Sequence, residues 1–426
     1  MFLENAMQGK FFRYFTVSFL TVLAAIGVFS AGLLVGWAIP ENPTAALNLP
    51  LLGRTDNDPQ VQTTTGPDTE TLFEPFWQTW DLIHEQYVDQ PVDEEKLMRG
   101  AISGMIASLD DPHSSYMDPE QFDQANAPLT GEYEGIGAWV DLTGEFLKIV
   151  SPMPNSPAER AGLESEDIVI AVNGEDMTGV DGNLVLREII GPAGTEVTLT
   201  IQREGAPEPF DVTIERDYIR LASAEGRMLE ENIAYVQLNT FGDQTISELR
   251  AALKELMAEE PDGLILDLRN NGGGYLNTAI DVLSEFLPGN QVVMYEVFAD
   301  DTTREFKTKR GGLATEIPLV VLVNEGSASA SEITAGAIQD LDRGVLVGTL
   351  TYGKGSVQNW SALENDQGAV RITVARWLTP DERQINEIGL QPDYEVELTE
   401  EDFAAERDPQ LDKALEVLKE MIAVPQ

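Results

Sequence analysis

The chain has 426 residues, 42% hydrophobic and 8% aromatic, which is enough apolar mass for two or three domains with separate cores. Its formal charge of −46 argues against a nucleic-acid partner, since phosphate binding needs clustered Lys and Arg, and reads most simply as solubility and low self-association. Absence of cysteine excludes disulfides, thiol catalysis and thiolate metal sites, and nothing in the pattern calls for a metal or a cofactor.

Residues 14–39 begin the ordered reading. The run "YFTVSFLTVLAAIGVFSAGLLVGWAI" carries no charge, and about 20 such residues span a bilayer core. Lys10 and Arg13 precede it, whereas Glu41 follows and only Arg54 is basic in the next stretch. That asymmetry keeps residues 1–13 cytoplasmic and exports the body. A cleaved signal peptide is the rival, with small residues at "FSAG". The run is long for a signal core, so a single-pass anchor in the cell membrane is the expectation. Gly32 and Gly36 form a GxxxG pair, a weak sign of helix dimerisation.

Residues 40–70 are rich in Pro, Asn, Thr and Asp without a period and read as a linker. Residues 71–128 open with two helical patterns, "LFEPFWQTWDLIHEQYVD" and "DEEKLMRGAISGMIASL". Phe73, Trp77, Trp80, Ile83 and Tyr87 recur at helical spacing and read as a packing face. Residues 129–215 change to short strands with turns: "GIGAWVDL", "EFLKIVSP", "DIVIAVNGED" and "EVTLTIQREG", with helices at "SPAERAGL" and "GNLVLREII". In this β-rich module the glycines of "YEGIGAWV" let N–H groups converge into a nest that can hold a carboxylate. From 216 to 398 the strands "GLILDL", "PLVVLVN" and "GVLVGTL" run apolar between helices, the pattern of an α/β sheet covered on both faces. Residues 399–426 read as an acidic turn and one amphipathic helix.

Two stretches of the α/β region invite chemistry. "GSASASEI" places Ser327, Ser329 and Ser331 on alternate positions, between an apolar strand and a helix. The only histidines are His84, inside the aromatic helix, and His113, in the Pro-containing turn "DDPHSSY". Neither suits a Ser-His-Asp relay, because neighbours in one turn do not orient each other. Lys354 stands between Gly353 and Gly355 just after an apolar strand, where α/β sheets gather their sites. A buried lysine can be neutral and act as a base; an ordinary turn lysine is the plain alternative. "GTLTYGK" nearly spells a phosphate-binding loop, but Gly355 stands where the magnesium-binding hydroxyl belongs and a strand follows instead of a helix. Ser331, just before Glu332, suits helix capping, and Ser327 lies in the loop.

Taken together, "GSASASEI" and "TYGKGSVQ" closely resemble the carboxy-terminal processing (tail-specific) peptidases, a Ser/Lys protease family. The resemblance extends from about residue 71 to 398 through "SLDDPHSSYMDPEQF", the PDZ-like "YEGIGAWV…SPAERAGLESEDIVIAVNGED", "LDLRNNGGG" and "IGLQPDYEV". It implies an α/β crotonase-like protease core with an inserted β-rich PDZ domain at 129–215, following the helical N-terminal segment and the N-terminal transmembrane helix read from the residues themselves. It implies Ser329 as nucleophile, Lys354 as base and Gln358 as the residue that orients the lysine, and gives His113 a structural role. Candidate oxyanion donors are the N–H of Ala330 and one from Gly272, Gly273 or Gly274. Gly135, Ile136, Gly137 and Ala138 would hold a substrate's terminal carboxylate, beside an apolar pocket for its last side chain. Ile189-Ile190-Gly191-Pro192 departs from the family's Ile-Arg-Gly-Pro, and "TPDERQI" from its commoner "TPSGR".

The expected function is therefore a membrane-anchored, extracytoplasmic serine endopeptidase that cleaves proteins near their C-termini without a cofactor. Its partners would be protein or peptide C-termini and the membrane, with a homo-oligomer or an adaptor protein left open. The alternative is a catalytically inactive, membrane-tethered PDZ scaffold.

Overall fold

The computed structural model describes residues 69–423 apart from 143, 145, 400, 403, 404 and 406. The expected cytoplasmic segment, the membrane span at 14–39 and nearly all of the linker lie outside these residues. No helix among the described residues is long and apolar enough to cross a membrane. The chain divides into two compact units after Tyr116.

The first unit holds helices α1 (Thr69–Gln86) and α2 (Glu94–Ala107), the latter capped by Asp93, whose carboxylate accepts the Lys96 N–H at 2.9 Å. The aromatic stripe of α1, expected to be a packing face, is covered only in part, at the half-buried Trp80 and Ile83. No residue of α1 is buried, and Trp77 is 57% exposed. Its rings instead pack along the helix, Phe73 edge-on to Phe76 at 5.9 Å and Phe76 stacked on Trp80 at 6.4 Å. Two helices supply too little chain to bury both faces of either.

The second unit starts with α3 (Pro119–Thr130), entered through a capping box in which Asp118 and Gln121 exchange backbone and side-chain bonds. Strand β1 (Glu132–Gly135) then pairs antiparallel with β7 (Asp217–Arg220), closing a ribbon around what lies between. Enclosed are β2 (Ala138–Asp141), β3 (Leu147–Pro152), β4 (Ile168–Val172), β5 (Glu196–Gln202) and β6 (Phe210–Glu215), an antiparallel sheet in that order with β2 at its edge. Helix α4 (Gly182–Ile189) turns Val185 and Ile189 onto Leu147, Ile149, Val169, Val197, Leu199, Ile201 and Ile214. In β5 the buried residues alternate with half-exposed threonines, as a one-faced sheet requires.

Six strands form the α/β core in the order β8 (Ala224–Met228), β9 (Ile233–Leu238), β10 (Gly263–Asp267), β13 (Leu319–Val323), β14 (Val345–Gly348) and β17 (Tyr394–Glu395). All pairs but the first are parallel. Period-two geometry sorts each strand's side chains between two cores. Leu264, Leu266, Leu319, Val321 and Val323 meet helices α5 (Thr245–Ala258), α6 (Leu276–Phe286) and α7 (Ala330–Asp340). Ile265, Val320 and Leu322 meet Ala414, Val417 and Leu418 of the C-terminal helix α8 (Pro409–Ala423). Every residue of β10 and β13 is buried, which explains their unbroken apolar sequences.

A second, antiparallel sheet joins β15 (Ser356–Ala362), β16 (Ala369–Leu378), β11 (Val292–Phe298) and β12 (Thr303–Lys307) in that order. Val357, Ala375, Trp377 and Met294 pack it onto the α6–α7 side of the core. The junction of the two sheets therefore falls where β14 gives way to β15, on either side of Lys354.

Candidate active site

At the C-terminal end of β13 the chain makes a tight turn and enters α7. Ser329 caps that helix at φ +57° and ψ −112°, a conformation that costs a residue with a Cβ on the order of 1–3 kcal/mol and persists only where surroundings enforce it. Glu332 supplies the enforcement. Its carboxylate accepts the N–H of Ser329 (2.9 Å), of Gly353 (2.7 Å) and of Lys354 (2.9 Å), and the Thr351 hydroxyl (2.6 Å). One oxygen, Oε2, thus holds the main chains of Ser329 and Lys354 together. Burial pushes the Glu332 pKa up, and the four donors oppose that rise.

The three serines separate clearly. Ser327 Oγ donates to the Leu268 carbonyl at 2.8 Å and accepts the Asn324 N–H at 3.0 Å. Ser331 Oγ donates to the Asn271 carbonyl at 2.7 Å. Ser331 therefore does not cap the helix: the cap position falls at Ser329, two residues earlier than the sequence suggests, and Ser331 lies inside the first turn. Ser329 Oγ is fully buried and has no hydrogen-bond partner.

Lys354 is also fully buried. Its carbonyl accepts the Trp377 indole N–H at 2.9 Å, which fixes the segment against the second sheet. Gly353, at φ +87°, lies where an added Cβ would stand 2.8 Å from the Gly389 nitrogen, so only glycine lets the loop pass. The expected side-chain bond from Ser329 to Lys354 is not made in this structure, since Ser329 Oγ has no partner. Unliganded sites often show such bonds long or open. Gln358 is fully buried on β15, its amide NH2 donating to Ser356 Oγ (2.8 Å) and Thr373 Oγ1 (3.1 Å). Its Oε1 is buried without a partner, an acceptor of the kind an ammonium needs.

The glycine turn after β10 packs directly on the Ser329 cap. A Cβ on Gly273 (φ +100°) would meet the Ala328 carbonyl oxygen at 2.7 Å, the Ala330 nitrogen at 2.8 Å and Ser329 Cβ at 2.9 Å. The Gly273 N–H, one of the expected oxyanion donors, is engaged by Asn271 Oδ1 at 2.9 Å. Gly274 passes so close to Phe241 that a Cβ would stand 2.4 Å from its carbonyl oxygen. Ala330 is the first helical residue of α7, where an N–H has no acceptor within its own helix. Gly272 lies in the same turn, so the structure brings all four expected donors to one end of the sheet.

Gly135, Ile136, Gly137 and Ala138 link β1 to edge strand β2. The Ile136 carbonyl accepts from Ala158 N–H (2.8 Å) and the Gly137 carbonyl from Met153 N–H (2.9 Å), which fixes the loop from its inner side. His84 and His113 both belong to the unit that ends at Tyr116; His84 Nδ1 is paired with the Trp80 carbonyl at 2.8 Å. Among the described residues no group of three or more His, Asp and Glu could hold a metal ion. Glu332 and Asn271 are the residues sequence reasoning missed. Glu332 reads locally as an ordinary helix-entry acid, and three of its four donors come from a segment more than eighteen residues away.

Residues 232–396 match the family model described as Peptidase family S41, residues 148–203 that of a PDZ domain, and residues 49–121 the activating protease CtpB N-terminal domain. The chain is 39% identical over 341 residues to a carboxy-terminal-processing protease of Bartonella bacilliformis, covering 79% of this chain and 78% of that one. It is 37% identical over 355 residues to the carboxy-terminal processing protease CtpA of Bacillus subtilis, covering 83% and 74%. A solved structure of a Bacteroides fragilis protein assigned to the S41 proteases matches with a TM-score of 0.53 at 18% identity, covering 80% of this chain and 96% of that one; this is a likeness of fold.

Proposed function

We propose, from the premise that the chain belongs to the carboxy-terminal processing serine proteases of peptidase family S41 and carries a PDZ domain, that Ser329 is its nucleophile and Lys354 its general base. The observation that carries this reading is the contrast among the three serines: only Ser329 has a buried hydroxyl without a partner, and the carboxylate that pins its backbone also pins that of Lys354.

In the proposed step the Ser329 oxygen attacks a peptide carbonyl carbon while its proton passes to neutral Lys354 Nζ. The step requires an uncharged amine, and Lys354 is fully buried. The tetrahedral oxyanion takes the Ala330 N–H and an N–H of the 272–274 turn; if that donor is Gly273, its bond to Asn271 must open. Collapse breaks the C–N bond, Lys354 returns the proton to the leaving amine, and an acyl ester remains on Ser329. Water then attacks the ester, giving its proton to Lys354, which passes it to the departing Ser329 oxygen. Gln358 Oε1 accepts from the lysine in its ammonium form.

The PDZ domain would add the substrate's tail as a strand to the open edge of β2, with the carboxylate on the Gly135–Ala138 nest. The 14–39 run would anchor the chain in the cell membrane through the 40–70 linker, with the body outside the cytoplasm; Lys10 and Arg13 support that orientation. Digestion of a protein with an unstructured apolar C-terminus tests the core of this reading. Ser329→Ala should abolish cleavage, while Ser327→Ala leaves measurable activity in a less stable protein; the reverse pattern would overturn the assignment.

A further inference from the structure

The two halves of the expected oxyanion site come from different strands. The 272–274 turn follows β10, and the Ser329–Ala330 cap follows β13. The parallel ladder between those strands ends at Asp267 and Leu322, with one further bond from the Leu268 N–H to the Leu322 carbonyl at 2.9 Å. Beyond that point no strand pairing aligns the two turns. Asn324, the first residue after β13 and only 9% exposed, reaches across. Its Oδ1 accepts the Asn270 N–H from the opposite turn at 2.8 Å and the Gly326 N–H from its own at 3.1 Å. Two N–H donors on one atom identify it as the carbonyl oxygen of the amide. Its Nδ2 donates to Asn270 Oδ1 at 2.9 Å. The Asn324 main chain is fixed as well: its N–H donates to Ser327 Oγ at 3.0 Å, and its carbonyl accepts the Ser327 N–H at 2.8 Å. The turns touch here, since a Cβ on Gly326 would stand 2.8 Å from Asn270 Cα. Nearer Ser329, the Asn271 carbonyl accepts the Ala328 N–H at 3.1 Å and the Ser331 hydroxyl at 2.7 Å.

We propose that Asn324 is a positioning residue for hydrolysis: its side-chain amide bridges the glycine turn to the serine turn and sets the spacing of the two oxyanion donors. This inference rests on the reading of Ala330 and the 272–274 turn as those donors. An oxyanion hole works only when both donors lie about 2.7–3.1 Å from the oxygen of the transition state. With one donor on each turn, a shift of one turn against the other takes a donor out of range. Loss of a whole donor costs on the order of 10²–10³ in kcat. The Asn271 contacts remain when the Asn324 bridge is removed, so the shift is partial and the expected loss is smaller. The bridge serves an atom that becomes an oxyanion only in the transition state. Its removal therefore belongs in kcat and not in KM.

The test uses the full-length chain. Asn324→Ala should lower kcat about tenfold or more, with KM within about threefold of wild type. Two further probes read the oxyanion position without turnover. One is a short apolar peptide aldehyde, whose carbonyl carbon takes the Ser329 oxygen and whose own oxygen then lies at the oxyanion position. The other is the matching primary alcohol, which has no carbonyl. In Asn324→Ala the aldehyde should bind about tenfold more weakly and the alcohol as in wild type. A general loss of structure would weaken both. Asn270→Gly allows the positive φ of that residue (+59°), leaves Asn324 in place and removes one of the three bonds. It should weaken the aldehyde about threefold and leave the alcohol unchanged, and it decides the matter if Asn324→Ala does not fold. If the aldehyde outbinds the alcohol by the wild-type factor in every variant that folds, the inference falls and the oxyanion reading stands. If the aldehyde binds no better than the alcohol in wild type, the oxyanion reading falls and the inference with it.

Discussion

Around Ser329, four donors from the helix cap and from the segment before β15 converge on the Glu332 carboxylate. Around Gly137, main-chain bonds hold the loop: the Ile136 carbonyl accepts the Ala158 N–H and the Gly137 carbonyl accepts the Met153 N–H. The first arrangement is buried and gathers four donors on one side chain; the second is uncharged, with one main-chain bond to each carbonyl. The difference matches the two tasks proposed for them. A reacting centre must hold its atoms in place before substrate arrives, because misplacement by about 1 Å costs about a hundredfold in rate. A recognition loop must keep its N–H groups turned toward an incoming partner, which bonds made through its carbonyls allow.

Weakening the strong clamp should therefore do far more damage than any change at the loop. Glu332→Ala leaves four donors without their acceptor and frees the Ser329 and Lys354 main chains from each other. It should lower kcat by roughly a hundredfold and destabilise the fold by about 2–4 kcal/mol. A variant with near wild-type kcat would show that the clamp does not position the pair. Gly273→Ala tests the packing that supports the same centre. Its Cβ must push Ala328, Ser329 or Ala330 aside, so kcat should fall roughly tenfold or more with KM little changed. Unchanged kcat would mean the turn yields freely.

The smallest expected effect is a pH signature of Glu332. Its pKa in the folded chain is raised above the ordinary 4.5, chiefly by burial. As pH rises, the unfolded carboxyl releases its proton first and the folded one later. Between those two values the folded state binds more protons, so this group's contribution to stability falls with rising pH. The difference in melting temperature between wild type and Glu332→Gln should shrink as pH climbs upward from 4.5. A constant difference would contradict a raised pKa.

Sequence reasoning reached the serine turn and the lysine loop because glycines and small residues concentrate there for a local reason: the backbone must adopt positive φ or pass close to another chain segment. It reached β10, β13 and β14 because strands buried on both faces read as unbroken apolar runs. It did not identify β8 or the β11–β12 hairpin, whose exposed faces carry residues such as Glu225, Arg227, Arg304 and Glu305. The aromatic stripe of α1 was legible as a stripe, but not that its own unit leaves it exposed. Glu332 and Asn271 were hidden for a common reason. Each acts through bonds whose partners are set by the path of the folded chain, and neither residue type is unusual where it stands.

The central claim is that a buried, neutral amine at Lys354 takes the proton of Ser329. The most direct measurement is the cleavage rate of Lys354→Ala against wild type on a substrate with an unstructured C-terminus, after circular dichroism has shown both to be folded. A loss of roughly 10⁴-fold or more is expected. Hydrolysis within about tenfold of wild type would contradict it.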